Sequence, residues 1–336
     1  MLKYMMALLI IFAVIHPAAM AYETHLTVAK DGSGDYRTIK QAILATKAFP
    51  WEDITIFIKN GVYHEKVDIY AWNTRVHLVG ENRNKTIISY DDHFKKLDLG
   101  RNSTFHTYTM RVAGNDFSAS NLTIENTAGP VGQAVALHVE ADRAAFTNVT
   151  IRGYQDTLYV AGEGHRSYFE NCRIEGSVDF IFGEGTAYFE QCDVVSLMDN
   201  TYVTAASTPK EQPFGFVFNR SKFIAPDKVK GVYLGRPWRQ FARTVIVNSE
   251  LGSHVHPAGW NNWGDATKEK TAFYAEMNNS GPGAKLDNRV SWSHQLAAED
   301  AEKYSLSNVL RGWQPSAIAL PTADASADSG SGNRVH

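Results

Sequence analysis

Three polar residues in the middle of the chain recur at a constant interval. Gln133, Asp156 and Asp179 are each separated from the next by 23 residues. If the chain makes one coil in about that length, their side chains align on one face, with neighbouring carboxylates about 5 Å apart. Two aspartates so close in a partly desolvated groove have split pKa values, one a protonated acid and one a carboxylate. Such a pair suits general acid/base work or covalent catalysis by a carboxylate.

Two further residue types would complete such a site. Arg236 lies in Gly235-Arg236-Pro237-Trp238, and a guanidinium near Asp179 would hold that carboxylate ionised through bidentate bonds. The amides of Gln133 and Gln155 are suited to donate hydrogen bonds to a developing oxyanion. The pattern therefore favours an arginine that selects which aspartate stays charged.

Aromatic residues near these positions are candidates for a flat apolar wall that stacks on sugar rings, namely Trp238, Tyr159 and Phe182. Every candidate also has a purely structural interpretation. In a solenoid, aspartates belong to turns or ladders, arginines to salt bridges, glutamines to the framework and aromatics to the core. The convergence of these residues at coil spacing favours the catalytic interpretation.

Several common catalytic motifs are missing from the chain, including G-x-S-x-G, H-E-x-x-H, Walker A and a complete G-x-G-x-x-G. The 336 residues have a formal net charge of -3, with acidic and basic residues interspersed. Nucleic acid is therefore excluded as the main partner, because phosphate binding needs a concentrated basic surface.

A short β-rich unit repeats along the chain. Its six copies are 121–124, 148–151, 171–174, 191–194, 220–223 and 248–251, and their starts differ by 27, 23, 20, 29 and 28 residues. One short strand recurring at the same phase every 20–30 residues or so indicates a solenoid. A β-sandwich also has many short strands, but it does not need the same tetrapeptide at the same phase.

Before the repeats, 38–45 predicts a short amphipathic helix with apolar Ile39, Ala42, Ile43 and Ala45. After about Trp313 the pattern stops, and 316–336 has the Ala, Ser, Asp and Gly content of a disordered tail. We therefore expect three segments: 1–21, a single 22–315 β domain with an N-terminal helix cap, and 316–336.

Segment 1–21 has the features of a secretory signal peptide. Lys3 precedes an apolar run over 5–15, which is followed by Ala19-Met20-Ala21. We expect cleavage after Ala21 and a secreted protein, and the alternative is an uncleaved anchor helix. Export permits a disulfide. Cys172 and Cys192 both occupy the second position of their repeat unit, so we expect them to stack, either as a disulfide or as two buried thiols.

Seven segments carry a resemblance to a known family. They are 28–34, 61–65, 125–129, 133–137, 154–158, 179–183 and 234–238, including Tyr154-Gln155-Asp156-Thr157-Leu158 and Asp179-Phe180-Ile181-Phe182-Gly183. Each is weak alone, but in this order over one chain they are specific. The sequence resembles the pectin methylesterases, a carbohydrate esterase type, over 25–315.

The resemblance implies a right-handed parallel β-helix with its active site in a long groove, and a hydrolysis of galacturonate methyl esters that uses no metal and no cofactor. It implies that Asp179 is the nucleophile and that Gln155, with Gln133, stabilises the oxyanion. Asp156 would protonate methanol and then accept a proton from water, while Arg236 holds the nucleophile.

The resemblance also implies that Trp238, Phe182, Tyr159 and Val178 contact the sugar chain. We expect a monomer acting on methyl-esterified homogalacturonan, with no stable membrane association. Segment 195–215 does not align with the family pattern. The alternatives are an esterase of this fold acting on another ester, such as an acyl thioester, and a non-catalytic polysaccharide-binding solenoid. A β-helix lyase is disfavoured, because no cluster of carboxylates for Ca²⁺ is evident.

Overall fold

The computed structural model describes residues 22–315, whose strands form three long parallel sheets. In chain order the first strands are β1 (His25–Val28), β2 (Ile54–Ile58), β3 (Gly61–His64), β4 (Val67–Ile69), β5 (Val76–Gly80), β6 (Thr86–Tyr90), β7 (Met110–Val112), β8 (Ser118–Ser120) and β9 (Thr123–Asn126). The next are β10 (Leu137–Val139), β11 (Ala144–Thr147), β12 (Thr150–Arg152), β13 (Leu158–Val160), β14 (Arg166–Glu170), β15 (Arg173–Gly176), β16 (Val178–Gly183), β17 (Thr186–Glu190) and β18 (Asp193–Ser196). The last are β19 (Tyr202–Ala206), β20 (Phe216–Asn219), β21 (Lys222–Ile224), β22 (Tyr233–Gly235), β23 (Arg243–Val247), β24 (Glu250–Leu251), β25 (Phe273–Met277) and β26 (His294–Gln295).

The strands pair with the matching strand of the neighbouring coil. Sheet A has eleven strands in the order β1-β2-β5-β8-β11-β14-β17-β20-β23-β25-β26, sheet B has eight in the order β24-β21-β18-β15-β12-β9-β6-β3, and sheet C has seven in the order β22-β19-β16-β13-β10-β7-β4. The pairings are parallel in all three sheets. The predicted parallel β-helix is thus confirmed, and the antiparallel pairing of a β-sandwich is ruled out.

The repeat unit found in the sequence marks the turn from sheet A to sheet B. Its first residue has a positive φ in every copy: 58° at Asn121, 54° at Asn148, 51° at Asn171, 52° at Gln191, 51° at Arg220 and 52° at Asn248. Asparagine tolerates this left-handed conformation better than most residues. Its amides also bond between coils, since Asn148 Nδ2 donates to Asn121 Oδ1 at 3.0 Å. The repeat in the sequence therefore marks both the left-handed turn and the sheet B strand that follows it.

A column of four phenylalanines fills the core beneath sheet A. Phe146, Phe169, Phe189 and Phe218 are in register and fully buried. Successive rings are stacked, with centroids 4.9, 4.9 and 4.3 Å apart and interplanar angles of 7, 12 and 8°. The two middle rings, Phe169 and Phe189, are each held between two others, so deletion of a middle ring leaves a cavity that the strands cannot close.

We expect Phe169→Ala to lower the free energy of unfolding by about 3–5 kcal/mol, from lost burial and the residual cavity. Phe49→Ala is the control, because Phe49 is 70% exposed, and its change should stay within about 0.5 kcal/mol. Urea or thermal unfolding measures both. Equal destabilisation by the two variants would contradict the role given to the column.

The predicted N-terminal helix is present as α1 (Ile39–Ala45). Thr38 Oγ1 accepts a hydrogen bond from Gln41 N at 3.2 Å, which caps the helix start. The Glu65 carboxylate accepts from two further amides there, those of Ile39 and Lys40, at 2.9 and 3.0 Å. Buried Ile39, Ala42 and Ile43 pack α1 onto the first coil and cover the core at that end.

Six short helical segments complete the described structure. They are α2 (Phe94–Leu97), α3 (Leu306–Val309) and the 3₁₀ helices η1 (Gly100–His106), η2 (Lys268–Lys270), η3 (Pro282–Ala284) and η4 (Ala298–Tyr304). Helix η1 follows α2 and precedes β7, and η2 follows β24. Both lie in connections that approach sheet C.

The two cysteines stack in neighbouring coils as expected, and both are free thiols rather than a disulfide. The adjoining residues Arg173 and Asp193 are in register, so the side chains of Cys172 and Cys192 leave the backbone in parallel. Each thiol donates a hydrogen bond to a carbonyl oxygen of the preceding coil. Cys172 Sγ donates to Phe146 O at 3.3 Å, and Cys192 Sγ donates to Phe169 O at 3.4 Å. Burial raises the pKa of the Cys192 thiol well above its usual value. Of the two alternatives, the structure contains the buried thiols.

The predicted signal peptide 1–21 and tail 316–336 lie outside the described residues. Within 22–315, no helix combines the length and apolarity needed to cross a bilayer.

Candidate active site

A cleft of about 440 Å³ lies over the outer face of sheet C. The five predicted chemistry residues all line it, together with aromatic and basic side chains. The lining is Arg101, Thr104, Phe105, Gln133, Gln155, Asp156, Asp179, Phe182, Ala205, Arg236, Trp238, Arg239 and Trp263. The three residues that recur every 23 positions, Gln133, Asp156 and Asp179, therefore do lie in one cleft.

Strand register explains why the two aspartates meet. Leu158 of β13 pairs with Ile181 of β16, so Asp156 stands opposite Asp179, about 4.8 Å away along the sheet. Gln133 departs from the interval: it pairs with Gln155 in an isolated parallel bridge. The 23-residue interval placed Gln133 in line with Asp156, and the structure places it one residue away, so the two glutamines lie side by side.

A β-bulge turns Asp179 toward the cleft. Between Val178 and Ile181 the pairing of β16 with β19 shifts register, because β16 holds one extra residue there. Phe180 and Ile181 consequently both point into the core, where each is fully buried. Phe182 points outward, so uninterrupted alternation would aim Asp179 inward. The bulge reverses this and directs the carboxylate toward the cleft on the outer face, where it stays mostly buried.

Both aspartates also have left-handed backbones, with φ of 63° at Asp156 and 50° at Asp179. Aspartate is among the few non-glycine residues that adopt this region readily. Such conformations cost of order 1–3 kcal/mol and persist where the surroundings enforce them. Because the two kinks fall at matching positions of adjacent coils, the two carboxyl groups leave the backbone in the same direction.

Arg236 binds Asp179 through two hydrogen bonds. Its Nε donates to Oδ1 at 2.8 Å and its Nη2 to Oδ2 at 2.7 Å. The guanidinium is itself sandwiched between two rings, with its carbon 3.8 Å from the Tyr202 centroid and 3.7 Å from that of Trp263. Flat rings on both faces hold the guanidinium plane, so its fork stays aimed at the carboxylate.

Each ring of this sandwich has its own support. Tyr202 stacks on Tyr233 at 5.4 Å, and Tyr233 stacks on His256 at 4.3 Å. Trp263 has a φ of 60°, and its amide is held by Asn261 Oδ1 at 2.8 Å. The arginine is therefore positioned from two sides, by Tyr202 at the start of β19 and by Trp263 in the connection after β24.

The electrostatics of the two aspartates differ. Burial, followed by the negative charge of Asp179, raises the pKa of the Asp156 carboxyl well above its usual value, with Arg236 opposing. Burial also raises the pKa of Asp179, against the hydrogen bonds and positive charge of Arg236. Only Asp179 has the direct ion pair, so Asp156 takes up the shared proton first and Asp179 stays the carboxylate.

The predicted aromatic residues take different positions. Phe182 and Trp238 line the cleft, with ring centroids 6.0 Å apart at 63°. Tyr159 stacks on Phe182 at 4.7 Å and is 9% exposed, with Phe105 against it at 5.2 Å. Tyr159 therefore lies behind the cleft wall, and half-buried Val178 is likewise not among the lining residues.

A glycine permits this close stacking. Gly183, directly after Phe182, has a φ of 126°, and a Cβ there would lie 2.0 Å from Val160 O. Any side chain would push β16 away from β13 and separate the rings of Phe182 and Tyr159.

Several site residues were not predicted from the sequence. Tyr202 and Ala205 fall in segment 195–215, which gave no alignment. Trp263 and Arg101 lie in connections outside the repeat, where spacing carries no signal. Arg239 directly follows the Gly-Arg-Pro-Trp segment, and this adjacency is the signal that could have identified it as a site residue. Among residues 22–315 there is no group of three or more His, Cys, Asp or Glu side chains placed to hold a metal ion.

Comparison with known proteins shows which family the chain resembles. The Pectinesterase family model matches residues 25–313. A curated relative, probable pectinesterase/pectinesterase inhibitor 58 of Arabidopsis thaliana, is 37% identical over 87% of this chain, which spans only 53% of that relative's length.

Two solved structures share the fold. Pectin methylesterase from carrot has a TM-score of 0.81 and 33% identity, covering 88% of this chain and 95% of that one. A pectin methylesterase mutant in complex with a hexasaccharide has a TM-score of 0.76 and 32% identity, covering 89% and 100%. With the match of the family model over 25–313, this chain belongs to the pectinesterase family.

Proposed function

We propose that the protein is a pectin methylesterase that hydrolyses galacturonate methyl esters of pectin to free carboxylates and methanol. One observation carries the proposal: two aspartates in register on adjacent coils, of which only Asp179 is held by a bidentate arginine. This asymmetry assigns one carboxylate and one acid in a single cleft. The likeness to a pectin methylesterase complexed with a hexasaccharide supports a polysaccharide substrate.

In the first step, a carboxylate oxygen of Asp179 attacks the ester carbonyl carbon. The amides of Gln133 and Gln155, side by side in the cleft, donate to the oxyanion that develops. As the bond to the methoxyl oxygen breaks, the protonated Asp156 gives its proton to that oxygen, and methanol leaves. The product is an acyl-enzyme in which galacturonate is joined to Asp179 as an anhydride.

In the second step, Asp156 is now a carboxylate and accepts a proton from water. The hydroxide so formed attacks the galacturonate carbonyl, the anhydride bond breaks, and the Asp179 carboxylate is released to Arg236. The sum is one ester and one water converted to one acid and one methanol. Arg236 keeps the nucleophile oriented throughout, because its own plane is fixed by Tyr202 and Trp263.

The aromatic wall supports a sugar chain as the substrate. Phe182, Trp238 and Trp263 present ring surface along the cleft, which suits the apolar faces of pyranose rings. We further propose that 22–315 is the catalytic unit, that 1–21 directs secretion, and that the protein acts as a monomer in pectin or plant cell wall degradation.

Methanol release tests the proposal. We expect the purified protein to release methanol from highly methylated homogalacturonan and to act far more slowly on acyl thioesters and on acetylated sugars of similar size. The assay quantifies methanol and free carboxylate in parallel, and the two should appear in equal amounts. Faster turnover of a thioester, or the absence of methanol, would replace the pectin assignment with another ester or with a binding role.

A further inference from the structure

A buried asparagine lies behind the connection that carries Gln133. Asn126 ends β9 and is 4% exposed, and Gln133 follows it in the connection from β9 to β10. The Asn126 side chain is not among the groups that line the cleft, and neither step of the proposed reaction uses it. Its hydrogen bonds nevertheless lead directly to the site.

The Asn126 amide nitrogen faces three backbone carbonyls from three parts of the chain. Nδ2 donates to Asp92 O at 2.8 Å, to Val135 O at 3.0 Å and to Thr107 O at 3.2 Å. Because the nitrogen has two hydrogens, one of them is shared between two carbonyls. Oδ1 accepts from Ala128 N at 3.0 Å, so both polar atoms of this side chain are bonded.

These carbonyls join the connection that carries Gln133 to a long segment of the preceding coil. The α2–η1 segment, residues 91–107, leaves the coil after β6 and returns before β7. Asp92 lies at its start and Thr107 at its end, whereas Val135 lies two residues after Gln133. One side chain therefore ties both ends of the α2–η1 segment to the neighbourhood of a predicted oxyanion donor.

Further hydrogen bonds hold the backbone on both sides of this donor. Phe94 N donates to Gln133 O at 2.9 Å, and Val135 N donates to Thr107 Oγ1 at 2.9 Å. The residue between Gln133 and Val135 donates its amide to Gln155 O at 3.1 Å, in the following coil. Gln133 is therefore fixed between the coil before it and the coil after it.

This support matters because Gln133 does not lie in a strand. Residues 127–136 fall between β9 and β10, and Gln133 has only an isolated bridge to Gln155 among its pairings within 22–315. An oxyanion donor works when its nitrogen lies within about 2.7–3.1 Å of the developing charge, so a small shift of its backbone removes much of its effect. The bonds from Asn126 and Thr107 prevent such a shift.

We propose that Asn126 is a positioning residue for the oxyanion hole, because its amide fixes the backbone of Gln133 against the α2–η1 segment. This inference rests on the proposed function, in which the Gln133 side chain donates to the oxyanion. Asn126 lies outside the cleft lining, so it acts on kcat through Gln133 and not by contact with the ester.

A double-mutant cycle measures this dependence. Asn126→Ala should lower kcat for methanol release about 10–100-fold, the cost of a misplaced group, and Gln133→Ala should lower it about 10²–10³-fold, the cost of one lost oxyanion donor. Combined with Gln133→Ala, Asn126→Ala should lower kcat by less than about twofold further, because the donor it would misplace is gone. The loss of Tm caused by Asn126→Ala should be the same in both backgrounds.

Asn73→Ala is the matched control. Asn73 is 2% exposed, its Nδ2 donates to Thr46 Oγ1 at 2.9 Å, and its Oδ1 accepts from Tyr70 N at 3.1 Å. It lies in the connection from β4 to β5 and does not line the cleft. Its substitution should lower Tm and leave kcat unchanged, which separates a loss of stability from a loss of positioning.

A second variant covers the case in which Asn126→Ala does not fold. Thr107→Val keeps the branched shape of the side chain and removes the oxygen that accepts from Val135 N. It should lower kcat in the wild-type background and again have less than about a twofold effect beside Gln133→Ala.

Hydrogen exchange followed by mass spectrometry gives a readout that does not depend on activity. Asn126→Ala should speed exchange over 92–107 and 127–136 together, whereas Asn73→Ala should not. Equal fold losses of kcat in both backgrounds, an unchanged kcat, or unchanged exchange over these two segments would overturn the inference. A wild type that releases no methanol overturns the proposed function instead, so the two failures are distinguishable.

Discussion

Replacing Asp179 by asparagine is expected to lower kcat for methanol release by at least about 10⁴-fold, because the amide cannot attack the ester. Loss of a nucleophile in other hydrolases costs up to about 10⁶-fold. Asparagine is the right substitute since it accepts the left-handed backbone at this position, φ 50°, which alanine would strain. The rate is measured with highly methylated homogalacturonan, and folding is checked by thermal unfolding.

Asp98→Asn is the matched control. Asp98 also has a left-handed backbone, φ 48°, and it is exposed at the C-terminal end of α2. Its substitution should leave the rate unchanged. If Asp179→Asn retains more than a few per cent of wild-type activity while folded, Asp179 is not the nucleophile and covalent catalysis by this carboxylate is rejected.

Replacing Asp156 by asparagine is expected to lower kcat by about 10²–10⁴-fold, the usual range for loss of a general acid and base. The loss should be smaller for an ester whose leaving alcohol is more acidic than methanol, because such an alcohol departs without a proton. Comparison of methyl and trifluoroethyl esters of the same oligomer measures this. An equal loss on both esters would contradict a proton-transfer role in the first step.

Asp156→Asn should also change how the stability of the folded protein depends on pH. Burial and the charge of Asp179 raise the pKa of Asp156 in the folded state, so the folded protein binds this proton more tightly than the unfolded chain. That stabilisation is complete below the unfolded pKa and is lost as the pH rises through the folded pKa. Asp156→Asn should therefore gain Tm relative to wild type as the pH rises from about 4 to 8. A difference in Tm that falls with rising pH would contradict the assigned shift.

Much of this site follows from the sequence because the fold is periodic. A coil length near 23 residues brought Asp156 opposite Asp179, and the left-handed residue at each turn, which is Asn in four of the six copies, set the phase of the repeat. The contact between Arg236 and Asp179 was predicted because a buried nucleophilic carboxylate needs a positively charged partner to stay ionised. These are local or periodic properties, and a sequence contains them directly.

Other parts of the site depend on departures from the period. The bulge at Asp179 reverses the direction that simple alternation assigns to this side chain. The residue types around Asp179 do not predict a bulge at this position. Gln133 lies one residue from its predicted alignment because its coil has a different length from the next. Trp263 reaches Arg236 from an irregular connection, where position depends on tertiary packing alone.

The closed N-terminal end of the coil also bears on how separate molecules behave toward one another. A parallel ladder has an unpaired edge at each end, and such edges invite another chain to continue it. Helix α1 covers the core at the first coil, while at the other end β24 and β26 are only two residues long. Neither end offers a long flat template, so we expect the geometry that stacks coils within one molecule not to extend into fibres between molecules.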